Sequence, residues 1–247
     1  MHMTQLNEAA KLLKGIRTLG VLTGAGISAE SGLATFRDAD GLWNNHPVEE
    51  VATPEGFFAD TQKVWRFYNE LRAIAHGAKP NAAHRALAEA ENNGLKVRVI
   101  TQNVEGLHQR AGSKDVIELH GTLWAARCTR CGGRTENLPV KYSDSPLCDG
   151  CGSLLRPDIV WFGEMLPQDA MSEAERAVME CDAFLTVGTS AQVYPAAGFA
   201  VMAVRRGIPV IEVNMEKTPL SAIAAVSLIG KAGEILPKLL EDYAGHT

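Results

Sequence analysis

Four of the five cysteines stand in two close pairs, Cys128-Thr-Arg-Cys131 and Cys148-Asp-Gly-Cys151, with sixteen residues between the pairs. Two C-x2-C turns can close four thiolates around one tetrahedral zinc ion. Four thiolates fill the coordination sphere, so the spacing predicts one structural Zn2+ rather than a catalytic one. The fifth cysteine, Cys181, stands apart at a helix end and reads as a small buried apolar residue. An odd count with a metal pattern fits a reducing compartment, and the cytoplasm is the expected location.

A second chemistry lies in GAGISAESGLATFR, Gly24 to Arg37. Gly24, Gly26 and Ala29 match G-x-G-x-x-[G/A], directly after the apolar run Leu19 to Thr23. Glycines allow a tight turn and close backbone approach to a pyrophosphate, and a following helix N-terminus supplies N–H groups. Ser28, Ser31 and Arg37 add donors. Those three positions alone fit a plain glycine turn equally well, and the strand before them favours the phosphate reading. A dehydrogenase of this type places an acid about 20 positions on, at the end of its second strand, to hold the adenosine ribose. Here the nearest acids, Glu49 and Glu50, lie in a segment that does not read as a strand, so ordinary hydride transfer is disfavoured.

Two more clusters follow apolar runs. VRVI (97–100) leads into TQNVEGLHQRAG, and VIEL (116–119) leads into His120-Gly121. Gln102, Asn103 and His120 are neutral or switchable hydrogen-bonding groups, and a histidine can take a proton near neutral pH. A histidine satisfied within its loop would look the same. No serine has a nucleophile-elbow context, and no cysteine neighbours these runs, so covalent catalysis by the protein is not suggested.

The elements that must position these groups alternate. Leu6, Ala9, Ala10, Leu13 and Ile16 recur at helical spacing. Short apolar runs fit buried parallel strands: LGVLT, VRVI, VIEL, DIVWF (158–162), AFLTVG (183–188), PVIEVN (209–214) and VSLIG (226–230). Helical stretches at 81–94, 169–181 and 195–207 lie between several of them. Strand–helix alternation predicts an α/β fold, a Rossmann-type doubly wound parallel sheet, with ligands beyond the carboxyl ends of the strands. Two segments break the pattern. Residues 42–87 hold the helical QKVWRFYNELRAIAHG, and residues 124–156 hold the cysteines with little apolar periodicity. Together they should build a smaller zinc domain (42–87 and 124–156) inserted in a large one (1–41, 88–123 and 157–247).

The 247 residues and 46% hydrophobic content suffice for such a core. A net charge of −5 argues against broad nucleic-acid binding. No apolar run approaches membrane-spanning length, and the first residues lack the pattern of a secretory signal.

In that order, GAGISAESGLATFR, TQNVEGLH, HG, the two cysteine pairs, GSLLRPDIVWFGE (152–164), GTS (188–190), EVN (212–214) and GKAGE (230–234) resemble the sirtuin family. The match runs from about Gly20 to Leu240. The resemblance implies an NAD-dependent transferase that consumes NAD as a co-substrate and acts on acyl-lysine proteins or peptides. The acyl oxygen attacks the ribose carbon as nicotinamide leaves, and the products are lysine and O-acyl-ADP-ribose. By the same resemblance, His120 is the general base and Asn103 positions ribose and the reacting groups. Gly24, Ala25, Gly26, Ser28, Ala29, Phe36, Arg37, Trp43, Gln102, Val104 and Glu105 line the cofactor. Gly188, Thr189 and Ser190 meet phosphate or ribose, Asn214 takes the adenosine ribose, and Ala232 lies against adenine. Val160, Phe162, Gly163 and Glu164 pair with the substrate backbone, and Tyr68 faces the acyl group. A mono-ADP-ribosyltransferase shares the leaving step, and a non-catalytic NAD-binding interaction module shares the binding residues. The expected chain is a monomer with no membrane partner.

Three positions depart from the family pattern. Ala34 replaces a usual proline. Glu105 replaces a usual aspartate that grips nicotinamide, which implies altered cofactor or nicotinamide affinity. Relatives that remove acidic acyl groups carry Tyr-x-x-Arg, and here Tyr68 is followed at that spacing by Leu71. Arg72 lies one residue on, about 100° around the helix. It is expected either to miss a succinyl carboxylate or simply to face solvent, so acetyl and apolar acyl groups should be preferred.

Overall fold

The computed structural model describes residues 3–33 and 46–243. In chain order the elements begin with helix α1 (Met3–Leu13), strand β1 (Thr18–Thr23) and a 3-10 turn (Ala25–Ser31). Four helices follow: α2 (Val48–Val51), α3 (Pro54–Ala59), α4 (Thr61–Gly77) and α5 (Ala82–Asn92). Then come β2 (Lys96–Thr101), α6 (Leu107–Ala111), β3 (Val116–Glu118), β4 (Gly121–Cys128), β5 (Arg134–Thr135) and β6 (Leu155–Ile159). The chain continues through α7 (Gln168–Glu180), β7 (Ala183–Val187), α8 (Ala197–Arg205) and β8 (Val210–Asn214). It closes with a second 3-10 turn (Pro219–Ala222), β9 (Val226–Ile229), α9 (Ala232–Leu239) and a third 3-10 turn (Glu241–Tyr243).

Apolar residues on both faces of a strand require cover on both faces. Accordingly β1, β2 and β7 are buried almost throughout. They lie in a six-stranded sheet of order β3-β2-β1-β7-β8-β9, parallel at every pairing. Relabelled within the sheet, this is the order 3-2-1-4-5-6 of the doubly wound dinucleotide fold. Side chains of α1, α5 and α9 cover one face, around Leu13, Leu87 and Leu236. Those of α7 and α8 cover the other, around Val178 and Phe199. The order reverses between β1 and β7, and the crevice that such a reversal opens lies beyond their carboxyl ends.

The run DIVWF was expected as a further parallel strand, and the structure corrects this. Its first residues end β6, which pairs antiparallel with β4 in a separate three-stranded sheet of order β5-β4-β6. An apolar run records burial, not the partner that buries it. The partner here is β4, which continues past residue 124, where sequence periodicity is weak. Gly121 makes the crossing feasible: its φ is +78°, and a Cβ there would stand 2.0 Å from the Asp158 carbonyl oxygen.

The two excursions share one core, in which Phe57, Trp65 and Phe67 pack with Leu123, Leu155 and Trp161. Asp60 caps α4 by accepting the Lys63 N–H at 2.9 Å. Trp65 Nε1 then donates to the Leu155 carbonyl at 3.0 Å. Arg72 is not a solvated residue. It is fully buried, donates from Nε to the Val140 carbonyl and from Nη1 to the Leu123 carbonyl, both at 3.3 Å, and bonds the Asn69 side chain. Burial lowers its pKa to about 10. Its guanidinium is a strut from α4 to the small sheet.

Candidate functional site

The site is built where the parallel strands end. Gly24 and Gly26 let the turn after β1 cross the turn after β7. The Gly24 N–H donates to the Val187 carbonyl at 3.1 Å and the Gly26 N–H to the Gly188 carbonyl at 2.9 Å. A Cβ on Gly26 would lie 2.7 Å from Gly188 Cα, and one on Gly188 2.3 Å from the Ile27 nitrogen. The residues after Gly24 form a 3-10 turn rather than the α-helix the pattern suggests. Ala25 and Ser28 stay on this turn near the crossing, whereas Ala29 faces solvent.

β2 delivers the next group. Gln102 Nε2 donates to Thr189 Oγ1 at 3.0 Å, and Asn214 Nδ2 donates to the Thr189 carbonyl at 2.9 Å. These bonds bring the ends of β2, β7 and β8 together around Gly188, Thr189 and Ser190. Buried Asn103 donates from Nδ2 to the Gly24 carbonyl (3.2 Å), Ser28 Oγ (3.2 Å) and Glu105 Oε1 (3.1 Å). Glu105 is buried as well. Its carboxyl accepts the Ser28 hydroxyl at 2.6 Å and the Val104 N–H at 3.0 Å. Burial pushes its pKa up, against the pull of these hydrogen bonds.

β3 delivers His120. Its Nδ1 lies 2.9 Å from the Gln102 carbonyl oxygen. A carbonyl only accepts, so Nδ1 carries the proton and Nε2 keeps its lone pair. Burial lowers the imidazole pKa, against the raising effect of that carbonyl. The ring is therefore a neutral base at cellular pH. The His120 carbonyl accepts the Val160 N–H at 2.9 Å, which docks the segment after β6 onto the same strand end.

That segment is stiff at its base. Arg156 is held by both carboxylate oxygens of Glu164 and lies 3.5 Å from the Trp161 ring centroid. Trp161 Nε1 donates to Tyr68 Oη at 2.8 Å. Tyr68 is only 3% exposed, and burial drives its phenol pKa well above the ordinary range. Phe162, by contrast, is 62% exposed, beside Gly163 at φ +85°. Ala232 is buried at the start of α9. The expected cofactor residues Phe36, Arg37 and Trp43, with Ala34, lie outside the described residues.

Two buried histidines escaped the sequence reading. His84 Nδ1 accepts the Asn81 N–H at 3.4 Å as half of a capping box, so Nε2 bears the proton toward Ser28 Oγ, 3.5 Å away. His108 Nε2 lies 3.0 Å from Thr23 Oγ1, which donates to Thr101 Oγ1. The two rings stand 4.9 Å apart. A histidine on the apolar face of a helix was the available signal for His84, and His108 lay unassigned within the quoted GLH.

The four cysteine sulfurs lie within 4.8 Å of one another, with Cys128–Cys151 at 3.4 Å and Cys131–Cys148 at 3.7 Å. A tetrahedron of about 2.3 Å Zn–S bonds has edges of about 3.8 Å, so the donor set fits one zinc ion. Cys181 is buried, as its isolation suggested.

A reversal-point glycine crossing, a neutral strand-end base and a four-thiolate lobe define a nucleotide-using α/β protein with a metal-stapled insert. The chain belongs to the Sir2 family, whose model matches residues 24–195. It is 50% identical to an NAD-dependent protein deacylase of Thermococcus kodakarensis, across 95% of this chain and 94% of that one. It is 48% identical to one of Thermus thermophilus, across 99% of each. Among solved structures it superimposes on a Sir2 homolog–NAD complex with a TM-score of 0.87 and 46% identity, covering 98% and 94% of the two chains. A Sir2 variant with a deacetylated p53 peptide and 3'-O-acetyl ADP ribose gives 0.84 and 38%, covering 96% and 98%.

Proposed function

We infer that this chain is an NAD-dependent protein-lysine deacylase. The observation that carries the reading is His120, fixed as the Nδ1–H tautomer with Nε2 free to accept a proton at the reversal-point crevice. The relatives named as deacylases, and the Sir2 complexes with NAD and with a deacetylated peptide, support it. Bound NAD supplies a ribose whose bond to nicotinamide is the one broken. The chain's residues do the rest. The glycines of the Gly24–Ala29 turn, which have no Cβ, let the pyrophosphate approach the backbone closely. Gln102 and Asn103 hold the nicotinamide ribose, and Glu105, with Val104, faces nicotinamide. Gly188, Thr189, Ser190, Asn214 and Ala232 take the adenosine half, while Phe36, Arg37 and Trp43 complete the cover.

His120 Nε2 removes a proton from a ribose hydroxyl. Val160, Phe162 and Gly163 present backbone to an acyl-lysine peptide, in the manner of an added strand. Glu164, expected beside the substrate backbone, also braces that segment through Arg156, and Tyr68, expected to face the acyl group, is buried and braces it through Trp161. With Leu71 at the expected arginine position and Arg72 spent as a strut, neither of these two positions offers a free guanidinium to an acidic acyl group. Neutral acyl groups are therefore preferred. Zinc would be held by Cys128, Cys131, Cys148 and Cys151, where it supplies rigidity to the lobe.

A division into a large domain (1–41, 88–123 and 157–247) and a small one (42–87 and 124–156) is proposed; the shared core from Val51 to Ala75 supports it, although that core also takes in Leu123, Ile159 and Trp161, and Ala83, Ala86 and Leu87 pack with the large sheet. A cytoplasmic monomer is proposed with it. The metal-type thiolates favour a reducing compartment, and among the described residues no helix is long and apolar enough to cross a membrane.

The test measures nicotinamide release from NAD across acetyl, longer acyl and succinyl peptides, with His120→Ala alongside. Peptide-dependent release, fastest for neutral acyl groups and lost in His120→Ala, is expected. Release without peptide would point to a glycohydrolase or transferase, and faster succinyl turnover would overturn the acyl preference.

A further inference from the structure

The motif Glu212-Val213-Asn214 lends only its asparagine to the nucleotide site. Glu212 lies in the middle of β8 with 2% of its surface exposed. Alternate residues of a strand share a face, so Glu212 and Asn214 point the same way. Among the described residues no Lys, Arg or His forms an ion pair with the Glu212 carboxylate. Three hydroxyls satisfy it instead: Thr218 Oγ1 donates to Oε1, and Ser221 Oγ and Ser227 Oγ donate to Oε2, the last at 2.7 Å.

These hydroxyls come from two segments. Thr218 and Ser221 form a capping box at the second 3-10 turn, where the Leu220 N–H donates to Thr218 Oγ1 at 3.1 Å and the Thr218 N–H to Ser221 Oγ at 3.0 Å. Ser227 sits on β9 directly opposite Glu212 in the ladder. One buried carboxylate thus fixes the chain from just after Asn214 to β9. Both ends of that chain adjoin residues that the cofactor reading assigns to adenosine, Asn214 and Ala232. The Asn214 carbonyl accepts the Gly230 N–H at 2.8 Å, and its Oδ1 accepts the Met215 N–H at 2.9 Å. Gly230 leads directly to Ala232. A buried charge is costly unless fully hydrogen-bonded, and a fully satisfied polar network specifies one arrangement of the backbone around it.

We propose that Glu212 is a positioning residue for the adenosine half of NAD. By clamping the second 3-10 turn and β9, it sets where Asn214 and Ala232 meet the nucleoside. The proposal rests on the cofactor reading above. It is tested with Glu212→Gln and Ser221→Ala, by calorimetric titration with ADP-ribose and by steady-state kinetics. Glu212→Gln should raise the ADP-ribose Kd and the KM for NAD about tenfold, roughly the worth of one charge-assisted hydrogen bond. At saturating NAD, kcat and the peptide KM should stay within about twofold of wild type, a split that general loosening of the fold would not give. Ser221→Ala should move the same constants in the same direction, by about threefold. If Glu212→Gln does not fold, Ser221→Ala and Ser227→Ala carry the test with the same readouts. Folded variants with wild-type ADP-ribose affinity would overturn the proposal, as would equal losses in kcat and in peptide affinity. Wild-type protein that binds no ADP-ribose would sink the cofactor reading itself, a result distinct from variants that bind it normally.

Discussion

Glu105 shows how one methylene can matter. Its carboxyl is folded back onto the Val104 N–H while also accepting from Ser28 and Asn103. Aspartate at this position reaches about 1.5 Å less far, one single bond, and loses that back-bond. Under the proposed cofactor placement, the shorter carboxylate would be free to meet nicotinamide. We expect Glu105→Asp to tighten nicotinamide inhibition by up to about tenfold, the scale of one charge-assisted hydrogen bond. Equal inhibition constants in the two proteins would refute this. The paired histidines set a pH limit. In the unfolded chain each titrates near 6.5, but burial holds His84 at about 4 and His108 at about 3. Below pH 6.5 the unfolded chain binds protons that the folded protein refuses. Stability is therefore full above that pH and falls as pH drops toward about 4 for His84 and about 3 for His108. The slope approaches about 1.4 kcal/mol per pH unit for each histidine. Urea denaturation at pH 7.5, 6 and 5 reads it, and a flat series would contradict the assignment.

Among the elements, the small sheet depends most on something outside its own core. β5 has two residues, and β4 and β6 meet at an irregular register between Gly121 and Ala126. Besides the thiolates, the pairing with β4 and the Arg134–Asp158 ion pair, long side chains of α4 anchor the chain from Arg134 to Leu155. Trp65 reaches the Leu155 carbonyl, Arg72 the Val140 carbonyl, and Asn69 Nδ2 the Tyr142 carbonyl at 3.0 Å. A structural zinc contributes on the order of 10 kcal/mol to a small module. Chelation should therefore free the 129–154 segment for proteolysis and shift the emission of Trp65 and Trp161 to the red. The far-ultraviolet signal of the six-stranded sheet should largely persist. Resistance of that segment to protease after verified zinc loss would show that the helix anchors suffice alone.

At the scale of the molecule, the site exists only because the turns after β1 and β7 cross at the reversal point. Gly188 adopts φ +60° with no room for a Cβ against Ile27. Gly188→Ala should push the turns after β1 and β7 apart and weaken ADP-ribose binding at least tenfold, since backbone strain of about 1–3 kcal/mol must be relieved there. Calorimetry on the folded variant checks this, and unchanged affinity would remove the crossing from the site. The sequence by itself determined the periodic strands, the glycine pattern and the thiolate spacing, because each is local: burial on both faces, a missing Cβ, and four ligands in two short turns. It could not decide that DIVWF joins a second, antiparallel sheet, or that Arg72 turns inward rather than to solvent. Nor could it show that the His84 and His108 rings come within 4.9 Å of each other while reaching Ser28 and Thr23, or that Glu212 gathers hydroxyls from two later segments. Each of those outcomes depends on which distant surface supplies the partner, and only the packed chain brings those surfaces within hydrogen-bond reach.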